Sequence, residues 1–340
     1  MPHWQSCGNI INLLEIRKTG EESLSSYFIT GATGYIGSAI SKKLITDGEA
    51  VTVIVRDSKR LEPEILSSAE IIIADITDRE KIFRITERYD YIIHCAAPTK
   101  SLYMMSNPVE VIHTIVNGTE HILNLGKRCD AKSMVYLSSM EVYGQIDCSD
   151  GRRVSENELG FINASSIRSC YPLAKLMAEN LSQSYLSEYG VPVKIARLAQ
   201  TFGQGALKDD TRVFAQFANS VRNQTDICLH TAGESMGNYC DINDAVDAIL
   251  FILKYGENGQ VYNVVNEKNT MRIKEMAELV AQRIAGGALR VTYDIASENQ
   301  YGYAANTGLC LSGEKLRKLG WEAKTSLEEM YRSMLLSEIR

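Results

Sequence analysis

The sequence has few of the features that mark membrane, secreted or nucleic-acid-binding proteins. No run of apolar residues approaches the ~20 that a membrane-spanning helix needs. The first twenty residues lack the basic start and long apolar run of a secretory signal. Positive charge is also scarce, since 36 Lys and Arg stand against 42 Asp and Glu, for a net charge of −6. That balance argues against a broad basic surface for nucleic acid. We therefore expect neither a membrane nor a nucleic acid as partner.

Motifs for metals and redox chemistry are lacking as well. None of the eight cysteines has CxxC spacing, and the five histidines show no metal-ligand spacing. The sequence thus predicts no zinc site, no redox dithiol and no bound metal. We interpret the cysteines as reduced thiols of a cytoplasmic protein. His94 lies in an apolar strand and is expected to be structural or to lie beside a cofactor.

The sequence does contain a regular alternation of strands and helices. Its 340 residues are 45% hydrophobic and 23% charged, enough for one large domain or two. We predict helices over residues 36–47, 79–88, 108–129 and from Tyr171 to Gly190. Buried strands are expected at YFIT, VTVIVR, EIIIAD, YDYIIHCA, SMVYLSS and VPVKIARLA. The alternation predicts an α/β Rossmann fold, a doubly wound parallel sheet with a smaller mixed α/β substrate lobe toward the C-terminus.

Three parts of the chain are expected. Residues 1–26 form a leader of unknown role. Residues 27–200 form the Rossmann domain that binds NAD or NADP. Residues 201–340 form mainly the substrate-binding lobe, because long loops there interrupt shorter helices and strands, and some of its segments should return to the Rossmann domain.

The glycine-rich loop GATGYIG joins the first predicted strand to the first helix. Gly31 permits a tight turn, Gly34 lets backbone amides approach a pyrophosphate, and Gly37 lets the helix pack closely on the sheet. The N-terminus of the helix then offers amide donors and a positive dipole to the phosphates. The predicted cofactor contacts in this loop are Gly31, Thr33, Gly34, Tyr35, Ile36 and Gly37.

The type of cofactor stays open. Val55 occupies the place where a Rossmann acid normally binds the ribose, and Arg56 and Asp57 follow it. Arg56 could hold the 2′-phosphate of NADP, whereas Asp57 could take the ribose hydroxyls of NAD. The residues alone favour NADP. Further cofactor contacts are predicted where the third and fourth strands end, at Asp75 near the adenine, Ile76, Ala96 and Ala97.

Tyr171 and Lys175 are the candidate proton-transfer residues. They lie four apart in YPLAK, so a helix places both side chains on one face. A free tyrosine has a pKa near 10, and a neighbouring ammonium group favours the phenolate and lowers that pKa. Lys175 could also donate a hydrogen bond to the nicotinamide ribose. Both residues follow a predicted strand that ends in Ser138 and Ser139.

Five motifs in order resemble the extended short-chain dehydrogenases/reductases of the NAD-dependent epimerase/dehydratase type. They are GATGYIG, YLSSMEVYG, the YxxxK of YPLAK, RLAQTFG and KLRKLGW. The resemblance implies that Tyr171 takes the proton of a sugar hydroxyl, typically at carbon 4, while Ser139 hydrogen-bonds that oxygen. The hydride would pass to the nicotinamide and leave a transient keto sugar. A nucleotide-activated sugar as substrate and a homodimer built on two helices per subunit are implied in the same way.

Other residues bear on the outcome of the reaction. Glu141 lies two residues after Ser139, which on a strand means the same face, so both side chains are expected to face the substrate. By resemblance to relatives that dehydrate or decarboxylate sugars, Glu141 could take a proton at carbon 5 or orient a departing carboxylate. By resemblance, Gln200 stands where the family usually has Asn in the substrate loop. Arg212, in DDTRVFAQF, would reach the anionic part of the substrate. The predicted products are therefore those of an epimerase, a decarboxylase or a dehydratase.

Two departures from the family pattern keep alternatives open. Met140 stands where dTDP-glucose-type dehydratases carry an acidic group. Gly237 stands where the family commonly has an Arg for the diphosphate, and Lys208 or Arg212 could substitute for it. An NADPH-dependent ketoreductase is the alternative that Arg56 and Gly237 favour. A nucleotide-sensing regulator is more remote, because such proteins usually lose the Tyr and the Lys.

Overall fold

The computed structural model of the chain describes residues 24–148, 150–206, 210–295 and 308–336. The leader expected at 1–26 lies outside these residues except for its last three, and so does Lys208. Across the described ranges, no helix combines the length and the apolar character needed to span a membrane.

Twelve strands are present in the described residues. They are β1 Ser26–Thr30, β2 Ala50–Val55, β3 Glu70–Ile73, β4 Tyr91–His94, β5 Ser133–Ser139, β6 Val193–Leu198, β7 Gln200–Phe202, β8 Ile227–Leu229, β9 Met236–Asp241, β10 Val261–Val264, β11 Asn266–Arg272 and β12 Val291–Tyr293. Seven of them form one parallel sheet in the order β10–β6–β5–β4–β1–β2–β3. The strand order reverses between β1 and β4, the position where doubly wound sheets open a crevice for a ligand. The predicted doubly wound parallel sheet is therefore confirmed.

Eleven α-helices accompany these strands in the described residues. They are α1 Tyr35–Thr46, α2 Pro63–Ser68, α3 Arg79–Phe83, α4 Ser101–Ser106, α5 Pro108–Cys129, α6 Cys170–Tyr189, α7 Val213–Asn223, α8 Ile242–Tyr255, α9 Ile273–Leu279, α10 Glu314–Leu319 and α11 Leu327–Leu336. Short 3₁₀ turns cover Ser58–Arg60, Met140–Tyr143 and Ile167–Ser169. The predicted helix at 79–88 is shorter than expected and ends at Phe83, because Ile85 and Tyr89 turn into the core before β4.

The central sheet is covered on both faces. Successive side chains of a strand point to opposite faces, so Phe28 packs with the core formed by α5 and α6, and Ile29 with the core formed by α1 and α8. β6 is buried at every position, as expected of a central parallel strand. This double cover fixes the carboxyl ends of β1, β4 and β5, where the candidate site lies.

The C-terminal part of the chain contributes to two structures. β7, β9 and β11 form a small mixed sheet, and β8 pairs with β12. A separate aromatic core holds Phe202, Phe214, Tyr239 and Tyr331. β10, in contrast, is the edge strand of the large sheet, and α8 packs on that sheet. The division at residue 200 stays a prediction.

Candidate active site

The glycine loop forms a close-fitting turn at the β1–β4 crevice. Gly31 has a φ of +75°, and a Cβ there would lie 2.9 Å from the backbone nitrogen of Ala96. A Cβ on Gly37 would lie 2.3 Å from the carbonyl oxygen of Gly31. Both positions therefore require glycine. Gly34 is the N-cap of α1, so the first-turn amides of that helix face the crevice, where a pyrophosphate would fit.

His94 holds the two strand ends of this crevice together. Its Nδ1 lies 2.7 Å from the Thr30 hydroxyl, and its Nε2 lies 3.1 Å from the Thr119 hydroxyl. Thr119 donates its proton to the carbonyl of Ile115, so the network assigns the imidazole proton to Nε2. The Thr30 oxygen also accepts the N–H of Ala96 at 3.0 Å. Burial lowers the pKa of His94 to about 3, so the ring is neutral and shapes the crevice.

The adenosine end of the crevice is polar. The Arg56 guanidinium is 3.8 Å from the Asp75 carboxylate, whose other oxygen accepts hydrogen bonds from the N–H and hydroxyl of Thr77. Asp57 accepts the N–H of Lys59 at the start of a 3₁₀ turn. A cavity of about 610 Å³ opens beside Asp75, between it and the start of α5. Arg56 thus already has an anionic partner.

The other predicted cofactor contacts line the same crevice or support it. The Tyr35 hydroxyl donates to the carbonyl of Gln204 and so links the glycine loop to the C-terminal part of the chain. Ile76 is buried, and a Cβ on Gly118 of α5 would lie 2.5 Å from it. Thr33, Ile36, Ala96 and Ala97 are partly buried.

Ser139, Tyr171 and Lys175 come together where β5 ends. Tyr171 lies in the first turn of α6 and is 6% exposed, and the Ser139 side chain lowers the pKa of its hydroxyl. Lys175 follows one turn later, and its Nζ donates to the carbonyl of Leu137 at 2.7 Å. The ammonium nitrogen lies 4.8 Å from the centre of the Tyr136 ring. Spacing predicted that Tyr171 and Lys175 share a helix face, and the family resemblance added Ser139 to the group.

The pKa of Tyr171 differs from the sequence expectation. Burial raises it, and the charge of Glu141 raises it further, while the Ser139 side chain and the charges of Arg168 and Arg212 lower it. Lys175 is not among these main causes, because its ammonium group is directed at Leu137 and lies 5.8 Å from the centre of the Tyr171 ring. Burial lowers the pKa of Lys175 itself to about 8. Expecting a low Tyr171 pKa from spacing alone was wrong.

Glu141 lies in a 3₁₀ turn, not on the strand where the sequence predicted it. β5 ends at Ser139, and residues 140–143 form a 3₁₀ turn, so Ser139 and Glu141 are not two positions on one strand. The turn begins there because the Ser139 oxygen caps it by accepting the N–H of Glu141 at 3.2 Å. The Glu141 carboxylate instead pairs with Arg168, whose Nη2 is 3.0 Å from one oxygen and 2.9 Å from the other.

Two predicted substrate residues belong to the C-terminal part of the site. Gln200 lies in β7, opposite Tyr239 of β9, and its side-chain oxygen is buried without a hydrogen-bond partner among the described residues. Arg212 precedes α7 and makes a two-pronged ion pair with Asp210, with a shortest distance of 2.6 Å. Its charge nevertheless acts on the hydroxyl of Tyr171.

Tyr239 accounts for the glycine at position 237. A Cβ on Gly237 would lie 2.2 Å from the Tyr239 hydroxyl oxygen, so the tyrosine side chain occupies the space beside it. Tyr239 is itself held edge-on against Phe202 in the aromatic core. The side chain of an arginine at position 237 would collide with this tyrosine. Diphosphate binding therefore needs other groups in this protein.

Sequence analysis missed a buried ion pair that anchors α6. Glu179 and Arg197 are both almost fully buried and form two parallel hydrogen bonds of 3.0 and 2.7 Å. Ser138 donates to the same carboxylate at 2.5 Å. Glu179 is one turn beyond Lys175, so this pair fixes the helix that carries the candidate catalytic residues.

The sequence also did not predict a group of potential metal ligands that the described residues contain. Cys228, His230 and Asp294 bring their donor atoms within 4.8 Å of one another. Cys228 and His230 belong to β8 and the residue after it, and Asp294 follows the neighbouring strand β12. No sequence spacing could reveal the group because its members meet only through that strand pairing.

A crevice suited to a dinucleotide at the β1–β4 switch, with a buried tyrosine and a buried lysine beside it, is typical of the Rossmann-type oxidoreductases. The family model described as "NAD dependent epimerase/dehydratase family" matches residues 27–265. The chain belongs to this family. The predicted enzyme type, and NAD-dependent modification of a nucleotide sugar as its function, are confirmed at the level of the family.

Two relatives of similar sequence are UDP-glucuronic acid decarboxylases, and one similar solved structure is a UDP-glucose 4-epimerase. The chain is 28% identical over 321 residues to UDP-glucuronic acid decarboxylase 1 of Xenopus tropicalis, covering 92% of this chain and 72% of that protein. It is 30% identical over 263 residues to UDP-glucuronic acid decarboxylase 3 of Arabidopsis thaliana, covering 75% and 73%. The UDP-glucose 4-epimerase of Thermotoga maritima, solved with UDP-glucose, superposes with a TM-score of 0.78 at 23% identity, covering 91% of this chain and 97% of that one. That likeness shows the fold.

Proposed function

We propose that this enzyme oxidises carbon 4 of a nucleotide-linked uronic acid and releases the sugar carboxylate as carbon dioxide. The observation that carries the proposal is the buried Tyr171 beside the end of β5, where Ser139 caps the turn that carries Glu141. The charges of Glu141, Arg168 and Arg212 all bear on the pKa of Tyr171. Cationic groups of this kind suit an anionic sugar. The similarity to UDP-glucuronic acid decarboxylases supports the choice of substrate.

The residues at the crevice fit the dinucleotide that the family uses. The turn at Gly31 and Gly37 leaves no room for side chains where the pyrophosphate would approach. When bound, NAD supplies the hydride acceptor for carbon 4. The raised pKa of Tyr171 would be lowered by the positive charge of the oxidised nicotinamide, so that its phenolate could take the proton of the carbon-4 hydroxyl while Ser139 holds the same oxygen.

Loss of the carboxylate then follows from the chemistry of the keto sugar. A 4-keto uronic acid is a β-keto acid, so breaking the bond between carbons 5 and 6 releases carbon dioxide and leaves the electron pair on the carbon-4 oxygen as an enolate. Tyr171 and Ser139 are placed to stabilise that oxygen. Protonation of carbon 5 would restore the ketone. Reduction of that ketone at carbon 4, with Tyr171 giving its proton back to the oxygen, would complete the cycle. Glu141 orients the carboxylate or supplies the proton.

A 4-epimerase is the second candidate, and one observation favours it. By resemblance, the family commonly has an arginine at position 237 that binds the diphosphate or serves decarboxylation, and Tyr239 occupies the space beside Gly237 in this chain. An epimerase would use the same Tyr171 and Ser139 but would return the hydride to the opposite face of the ketone.

Incubation with sugar nucleotides separates these candidates. The purified protein with NAD⁺ is offered UDP-glucuronate and UDP-glucose in parallel, and products are identified by mass spectrometry and NMR. Carbon dioxide and a UDP-pentose from UDP-glucuronate would support the decarboxylase. A 4-epimer of unchanged mass from either substrate would support the epimerase, and net reduction of a ketone by NADPH would support the ketoreductase.

We infer that NAD is the cofactor, although the sequence alone favours NADP. The Arg56 guanidinium is paired with Asp75 and the next residue is Asp57, so a 2′-phosphate would meet two carboxylates beside its one cation. We predict tighter binding of NAD⁺ than of NADP⁺ in calorimetric titrations, and little change in NAD⁺ affinity for Arg56→Ala. Tighter binding of NADP⁺, lost in Arg56→Ala, would contradict this.

We also propose a homodimer built on α5 and α6. These helices pack against each other and leave Val109, Ile112 and Met177 between 40% and 63% exposed. Replacing Ile112 by Glu should halve the molar mass measured by light scattering. Leu66→Glu, at a comparably exposed leucine of α2, should leave it unchanged. A monomeric wild type would contradict the proposal. The cytoplasmic location stays a prediction.

A further inference from the structure

Arg168 belongs to no motif singled out in the sequence, yet it faces the reacting tyrosine. It lies in the 3₁₀ turn Ile167–Ser169 that leads directly into α6. Its side chain is 33% exposed and that of Glu141 40%, so the pair is accessible from solvent. Both Glu141 and Arg168 act on the Tyr171 hydroxyl, with opposite signs.

The ion pair between Arg168 and Glu141 involves both oxygens of the carboxylate. Arg168 Nη2 lies 3.0 and 2.9 Å from the two carboxylate oxygens of Glu141, which restricts rotation of that carboxylate. Without this partner, the exposed Glu141 side chain would be held only through its backbone, by the Ser139 cap. The position of the carboxylate therefore depends on the arginine.

We propose that Arg168 is a positioning residue that holds the Glu141 carboxylate beside the Tyr171 hydroxyl and balances its negative charge. The inference rests on the proposed function, because it assigns Glu141 a place at the substrate. It gives Arg168 a role that acts through Glu141 and Tyr171 rather than through the cofactor.

The remaining charged groups around Tyr171 do not replace Arg168. Arg212 acts from the start of α7 but is paired with Asp210. Lys175, on the same helix as Tyr171, is directed at the carbonyl of Leu137. The neighbouring titratable side chains are Cys170, whose pKa burial raises, and the fully buried Tyr136 of β5. Removing Arg168 thus leaves the charge of Glu141 poorly balanced.

The test combines a direct titration of Tyr171 with kinetics. In the NAD-bound enzyme labelled with ¹³C at the tyrosine ring carbon that bears oxygen, the Tyr171 signal is assigned by its loss in Tyr171→Phe. Arg168→Ala should move its titration to higher pH and, where turnover is measurable, lower kcat about tenfold near pH 7 with the pH profile displaced to the alkaline side. Arg168→Lys should restore part of both effects.

A double variant separates this role from a structural one. In Glu141→Gln/Arg168→Ala both opposite charges are gone, so the alkaline displacement should largely disappear. Arg84→Ala removes an exposed Arg–Glu pair of α3 and serves as control, with no change expected. A Tyr171 titration that is unchanged in Arg168→Ala, or equally displaced in the double variant, would overturn the inference. Failure of the wild type to convert any sugar nucleotide would overturn the proposed function instead, and the titration would still decide the role of Arg168.

Discussion

Tyr171→Phe is expected to lower kcat by about 10²–10⁴-fold, because it removes the oxygen that exchanges a proton with the sugar. The Tyr171 side chain is buried, and its ring packs in the core with α5 and α6. Phenylalanine keeps that packing. The fold and the affinity for NAD⁺ should therefore be preserved, as measured by circular dichroism and calorimetric titration.

Ser139→Ala is expected to lower kcat less than Tyr171→Phe does. It removes one hydrogen bond to the reacting oxygen and the cap of the following 3₁₀ turn, but not the proton acceptor. Its kcat should fall between those of the wild type and Tyr171→Phe. Turnover in Tyr171→Phe comparable with the wild type would refute the role of Tyr171 as the base.

The largest effect on stability is expected for Arg197→Met. This change leaves the Glu179 carboxylate buried without its cation, at 6% exposure, and breaking one side of a buried pair costs about 3–5 kcal/mol. The free energy of unfolding, from urea titration followed by circular dichroism, should fall by that amount. The m-value should stay the same.

The matched control also removes the Glu179 carboxylate, which Arg197→Met leaves without its cation. In Arg197→Met/Glu179→Met both charged groups are replaced by apolar side chains, and much of the lost stability should return. Ser138 then loses its acceptor, so recovery should be incomplete. Equal stability of Arg197→Met and the wild type would mean that the pair does not anchor α6.

The sequence predicted what depends on local pattern. Strand β5 and helix α5 have the predicted limits, because apolar periodicity and the flanking breakers decide them within a few residues. The glycine loop and the Tyr171–Lys175 spacing are local as well, and the structure places them at one crevice.

What sequence analysis missed depends on three-dimensional detail. Glu141 was assigned to a strand, but the Ser139 side chain caps a 3₁₀ turn at that point. Its partner Arg168 is 27 residues away, a pairing that no periodicity reveals. The pKa of Tyr171 depends on burial and on where the Lys175 ammonium group is directed. None of these could be inferred from spacing.

The central claim is that the hydride of carbon 4 leaves the sugar and returns to it within one turnover. The most direct test uses UDP-glucuronate deuterated at carbon 4, with unlabelled NAD⁺ in catalytic amount, and NMR of the product. The account predicts that carbon dioxide is lost, that deuterium is retained at carbon 4 and that no NADH accumulates. Protium at carbon 4 of the product, or NADH formed in step with product, would contradict it.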